Sequence, residues 1–235
     1  MSFRTDSAVT AQVAGVPRRS ASGQREAMRK PKQPAANRAR ILAAAMEEFA
    51  ARGIKGASMD AIAARTQTTR RMINYYFGSK EKLYLAILEN VYRGIREAER
   101  HLALEHLSPV DAIRHVVGST FDYYVAHPTF VSLVVAENQA RGRYMRKSRA
   151  MRSLNVSIID ALAAVIARGQ RDGTFRPNID PVEVHMAISA LGFFNIANQY
   201  TFSTIFGYEL GRKGAVDRRR ELVTDIILSY LCARV

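Results

Sequence analysis

A single cysteine, Cys232, stands in a chain of 235 residues. That excludes an intrachain disulfide and any cluster of thiolate metal ligands, and it suits a reducing compartment. No stretch approaches the ~18 consecutive apolar residues of a membrane-spanning helix, so no membrane is expected as a partner. The opening MSFRTDSAVTAQVAGVPRRS lacks the apolar core and small-residue cleavage site of a signal peptide, and a cytoplasmic location is expected. Neither HExxH nor GxxxxGK[ST] occurs, and His101, His106, His115, His127 and His185 show no ligand spacing. Hence no catalytic residue, no metal site, no cofactor and no enzyme is expected. No segment alternates convincingly between apolar and polar residues, and no fixed period repeats. FVSLVVA, residues 130–136, is β-branched, but it lies between helical stretches with no partner strand.

Hydrophobic residues make up 48% of the chain, enough for a core. Lys and Arg number 35 against 21 acids, a net charge of +14. Such a surplus favours a polyanion, nucleic acid or an acidic membrane surface. Its distribution tempers the inference: residues 1–40 carry +7, residues 41–90 carry +2 and residues 91–235 carry +5. Residues 1–36 hold almost no large apolar side chains and are expected to form a disordered basic tail. That tail either reaches along DNA or is simply solvated.

From Asn37 the apolar period becomes helical. Ile41, Ala45 and Phe49 fall at i, i+4 and i+8, with Asn37 as the expected N-cap and Gly53 just past the end. Ser58 caps a short helix with Met59, Ile62 and Ala63 facing inward. After the turn TQT, Thr69 caps RRMINYYF; Gly78 ends it, and Ser79 caps a long fourth helix. Further helices are expected at 109–126, 129–140, 143–169, 181–206 and 216–232, several opened by proline. The fold class is all-α. Residues 58–77 have the size of a helix-turn-helix, which places its second helix in the major groove.

The blocks ILAAAMEEFAARG, GASMDAIA and INYYFGSKEKL, with the long helix after them, resemble the N-terminal domain of the TetR (tetracycline repressor) family over residues 38–92. The resemblance implies an N-terminal three-helix DNA-binding domain at 37–92 and a C-terminal helical ligand-binding and dimerisation domain at 93–235. It implies a transcriptional regulator, a repressor foremost, bound to a palindromic double-stranded DNA operator and released by an unidentified small-molecule effector. An activator of the same family, or sequence-blind binding to DNA or acidic membrane through the tail, are the alternatives.

In RRMINYYF, Ile73 and Phe77 anchor the helix, and Arg71 and Tyr75 lie opposite. Arg70 and Arg71 suit guanine O6 and N7, or else clamp phosphates or are solvated. The resemblance puts phosphate contacts at Ser58, Tyr76 and Lys80, beside the cap Thr69. Two positions depart from the family pattern. Gln67 stands in the turn where glycine is usual, which predicts a slightly different turn. Asn74 replaces an aromatic phosphate contact, and an asparagine can instead pair with adenine.

The resemblance also implies a homodimer through the last two helices. DPVEVHMAISALGFFNIANQYTFSTIFG is apolar nearly all round, and Leu222, Ile226, Ser229 and Tyr230 share one side of the last helix, with Val223, Ile227 and Leu231 adjacent. The implied ligand pocket has candidate aromatic walls in Phe121, Tyr124, Phe130, Phe193 and Phe194. Its candidate orienting amides are Asn195, Asn198 and Gln199. Each could instead belong to the core or the dimer seam. Residues 141–152 carry six basic side chains that admit an anionic effector or form a solvated face.

Overall fold

A computed structural model describes residues 32–232. The stretch up to Arg38 and the chain from Ala39 onward are separate units, and the second carries the architecture that follows. The expected tail at 1–31 lies outside the described residues. Residues 32–36 are helical instead: α1 spans Lys32–Gly56, so Asn37 sits inside a helix and is not its cap. The sequence permits the early start because Pro34 falls in the first turn, where a missing N–H costs nothing, and Ala35 and Ala36 are strong helix formers. Gly53 breaks the helix as expected, at φ 61°.

α2 (Met59–Arg65), α3 (Arg70–Phe77) and α4 (Lys80–Arg100) follow. Their caps come from local chemistry. Ser58 Oγ accepts from Ala61 N at 3.2 Å, Thr69 Oγ1 from Met72 N at 3.2 Å and Ser79 Oγ from Lys82 N at 3.2 Å. Gln67 takes φ 49°, so the turn keeps a left-handed residue although glycine is absent. Ile41, Phe49, Ile62, Ile73, Leu83 and Ile87 form one buried core that fixes these helices together.

α5 (Pro109–Ala126), α6 (Pro128–Gln139), α7 (Ala150–Arg171), α8 (Pro181–Ala197), α9 (Gln199–Phe206) and α10 (Lys213–Leu231) complete the chain, with 3₁₀ turns at Leu104–His106 and Met145–Lys147. FVSLVVA is helical within α6. Among the described residues there is no strand, only an isolated bridge from Phe175 to Cys232.

Two expected helices divide. The one at 143–169 starts only at Ala150, because Arg141 and Gly142 turn left-handed at φ 56° and 67° and Ser148 Oγ accepts from Ala150 N and Met151 N at 3.2 Å. The one at 181–206 breaks at Asn198, whose φ is −111° and ψ 8°; asparagine competes for backbone hydrogen bonds and holds a helix poorly. By length and mean composition α7 could cross a membrane, although Arg152, Asp160 and Arg168 interrupt it and it holds no run of 18 apolar residues. Its inward face (Ile158, Leu162, Val165 and Ile166) is nevertheless buried in a second core with Val116, Ile188 and Ile227.

α5 lies at the middle of that second core. Glycines admit close crossings: a Cβ on Gly118 would stand about 2.4 Å from the Arg220 guanidinium. Arg220 of α10 passes there to bond Asp122 on α5, with Nε 3.0 Å from Oδ1.

Candidate nucleic-acid interface and regulatory cavity

Ile73 and Phe77 are buried one turn apart, so α3 is seated on the core by a single edge. Its other side is solvent. Arg70, Arg71, Asn74 and Tyr75 are exposed, Tyr75 to 78%. Tyr76 is half-buried against the core, its ring edge-on to Tyr75 with centroids 5.5 Å apart. Arg70 leans toward α2, with Nη1 3.8 Å from Asp60 Oδ2. Both groups are largely exposed, and a pair of that kind contributes little. Lys80 Nζ, at the start of α4, donates to the carbonyl of Lys55 at the end of α1 at 3.4 Å. Ser58 and Thr69 use their oxygens as acceptors at helix starts, which leaves each O–H able to donate outward. The predicted DNA-facing residues therefore fall on the α2–α3 unit and at the first residue of α4. Amides at helix N-termini suit anions.

The regulatory half holds a cavity of about 350 Å³ bounded by α4, α5, α6 and α8. Tyr124, Phe130 and Phe193 line it, as the sequence reading placed them. The other five candidates lie elsewhere. Phe121 is core. Phe194, one residue past Phe193 and so turned about 100° around the helix, lines a separate open cleft of about 690 Å³ with Phe202, Tyr208 and Leu222. Asn195 is buried with Oδ1 unpartnered. Asn198 and Gln199 sit at the α8–α9 break, outside both cavities.

The cavity gains lining residues that the sequence reading passed over: Tyr92, Arg96, Asn138, His185 and Ser189. A faint signal existed, because Leu88, Tyr92 and Arg96 follow at i, i+4 and i+8 on α4 and carry its apolar stripe onto an arginine. Burial pushes His185 down to about 4, so its ring is neutral near pH 7. Burial likewise pushes the Glu99 carboxyl up to about 7, against the pull of Arg96.

The two sites share α4 and a packed joint. Tyr84 on α4 meets Phe49 of α1 edge-on at 5.2 Å and Tyr144 at 5.3 Å. Buried Glu137, at the end of α6, accepts from Tyr144 N and Met145 N at 2.8 Å each. The 141–152 segment is thereby tied to α6, and Lys147 stands 5.6 Å from the Tyr144 ring.

Residues 41–87 match the bacterial regulatory proteins of the tetR family, and residues 109–227 match the tetracyclin repressor-like C-terminal domain. The chain belongs to the TetR family. It is 35% identical over 191 residues to the HTH-type transcriptional repressor NicS of Pseudomonas putida, a match covering 81% of this chain and 90% of that protein. Among solved structures, SCO4942 from Streptomyces coelicolor superposes with a TM-score of 0.63 at 29% identity, over 83% of this chain and 98% of that one. The ketosteroid transcriptional regulator KstR2 of Mycobacterium tuberculosis shares the fold at a TM-score of 0.63 and 18% identity, over 84% of this chain and 95% of that one. This TetR-family chain is thus a DNA-binding transcriptional regulator, and α2 and α3 fall within its matched N-terminal domain.

Proposed function

We propose that the protein is a repressor that binds a palindromic operator as a homodimer and leaves it when a small-molecule effector enters the α4–α8 cavity. The reading rests chiefly on the exposed row Arg71, Asn74 and Tyr75, held outward by the buried pair Ile73 and Phe77. In this reading Arg70 and Arg71 meet guanines, Asn74 meets an adenine, and Ser58, Thr69, Tyr76 and Lys80 grip phosphates, fixing register without reading sequence. Tyr75 extends beside them into the groove. Named repressor relatives favour repression over activation. In this reading the protein acts on DNA in the cytoplasm.

Release works through α4, whose first turn adjoins α3 and whose later turns wall the cavity. Effector binding tilts α4 and moves the recognition helices off half-site spacing. Effector and DNA then weaken each other by the same factor. The test is to select bound fragments from genomic DNA and measure competition against random DNA at physiological salt. The selected site should win by about 10³-fold or more, and Arg71→Ala should cost it about 1–3 kcal/mol while barely changing random DNA. A ratio near one would leave only sequence-blind binding.

A further inference from the structure

The polar lining of the cavity says which chemistry it takes, and this inference rests on the cavity's being the effector site. Arg96 is 3% exposed and lines its wall. Its Nη1 stands 2.6 Å from Glu99 Oε2, one turn along the same helix. The approach is close but poorly aligned: Arg96 Nε and Nη1 and both Glu99 oxygens lack a hydrogen-bond partner. A guanidinium carries five N–H donors, and one misaligned carboxylate leaves most of them unused. Leaving such donors unmet inside a protein is costly.

Nothing else facing the cavity balances that cation. Tyr92, Asn138 and Ser189 are neutral, and His185, whose Nδ1 is also buried without a partner, is held neutral by burial. The remaining wall is apolar, with Tyr124, Phe130 and Phe193 beside Val134, Met186 and Ala190. The Tyr124 and Phe130 rings lie 8° from parallel with centroids 5.7 Å apart, and Phe193 meets Tyr124 edge-on at 5.9 Å.

We propose that Arg96 anchors an anionic effector, a monocarboxylate on a small apolar or aromatic body, whose oxygens take the guanidinium donors that Glu99 leaves open. The cavity's size is at the small end of the ~300–1,000 Å³ range of ligand sites, which limits the body to about one ring. One buried cation matches one negative charge. A phosphomonoester would bring a second charge with no partner, a heavy cost in a low-dielectric site. A neutral amide would leave the cation as it is. Glu99 does not block the anion, because burial has already raised its carboxyl to about 7; it takes a proton from solvent as the ligand carboxylate displaces it.

Calorimetric titration of the DNA-free protein at pH 7 tests this with benzoate, its neutral isostere benzamide, and phenyl phosphate. Benzoate should bind at least roughly tenfold more tightly than either, as charge-assisted pairing requires. Glu99→Gln removes the competing carboxylate, so it should tighten benzoate several-fold and leave benzamide unchanged. Arg96→Met should weaken benzoate about tenfold or more, and if that variant does not fold, Glu99→Gln decides alone. Benzamide equal to benzoate, phenyl phosphate tightest, no benzoate binding, or weaker benzoate binding in Glu99→Gln each overturns the proposal and leaves Arg96 and Glu99 a structural pair. Operator affinity is read separately. Benzoate that binds as expected without changing operator affinity upholds the anion site and removes only the site's role in release.

Discussion

Gln67 holds a left-handed backbone at φ 49°, a conformation that costs a residue with a Cβ about 1–2 kcal/mol. Its neighbours enforce it. Buried Thr66 donates through Oγ1 to the Ile62 carbonyl at 2.7 Å, Arg40 donates to the Thr66 carbonyl at 3.1 Å, and Thr68 N reaches the Ala63 carbonyl at 3.0 Å. Gln67→Gly removes the strain but adds about 0.5–1 kcal/mol of backbone entropy to the unfolded chain. The net expectation is a gain of about 0.5–1 kcal/mol, read as a higher urea midpoint with unchanged operator affinity. A lower midpoint would show that the glutamine side chain stabilises the turn. Residue type alone pointed to a differently shaped turn here, because the rule against left-handed glutamine is statistical and one of the hydrogen bonds that overrule it, from Arg40, comes from 26 residues away. The anchors Ile73 and Phe77 were legible, since a buried pair at i, i+4 is a periodic signal.

At the scale of the element, α4 carries the buried ionisable pair, and its titration should appear in stability. Glu99 faces Arg96 on its own helix, with Tyr123 and Tyr124 of α5 near it and His185 of α8 beyond Arg96. Its folded carboxyl is raised from 4.5 to about 7, so the folded state holds the proton more tightly. Stability from this group is therefore present below pH 4.5 and lost as pH rises to about 7, on the order of 3 kcal/mol for a shift of that size. His185, lowered from 6.5 to about 4, works in the opposite direction across that interval. Wild type should thus be nearly flat between pH 4.5 and 6.5, where the two offset. Glu99→Gln should gain stability with rising pH in urea unfolding, and parallel profiles for the two proteins would refute the assignment. Helix positions were largely legible from caps and prolines. The length of the break at 141–149 and the break at Asn198 were not, because the first depends on two left-handed residues and the Ser148 hydroxyl and the second on one residue's backbone angle. Nor was the cavity lining: Arg96 on α4 and His185 on α8 line one wall only once those helices and α5 pack together.

At the scale of the molecule, one side of α10 belongs to the core and the other faces solvent. Val223, Ile227 and Leu231 are buried, whereas Leu222, Ile226 and Tyr230 are each more than two-fifths exposed. Tyr200, Ile205 and Phe206 on α9 are more exposed still. Apolar area of that kind marks an association surface, in keeping with a homodimer through the last helices. Ile226→Glu, at 42% exposure, should leave the fold intact and place an unpaired charge in the joint, at a cost of several kcal/mol. Sedimentation at micromolar concentration should then show a monomer, with operator affinity falling by at least about tenfold. A variant that stays dimeric would place the joint elsewhere. The apolar stripe was legible in α10. The open cleft beside it was not, because it forms only where α9 turns away at Asn198.

α4 runs unbroken from the Ser79 cap to Arg100, so it is a rigid lever. Lys80 and Arg96 stand about 24 Å apart along it at about 1.5 Å per residue. A tilt of about 5° about the Arg96 end would then carry the Lys80 end by about 2 Å, more than a hydrogen bond of about 2.9 Å can stretch and survive. In the proposed mechanism, the length of this one helix would convert an adjustment smaller than an atom near the cavity into the loss of a contact that Lys80 makes with DNA.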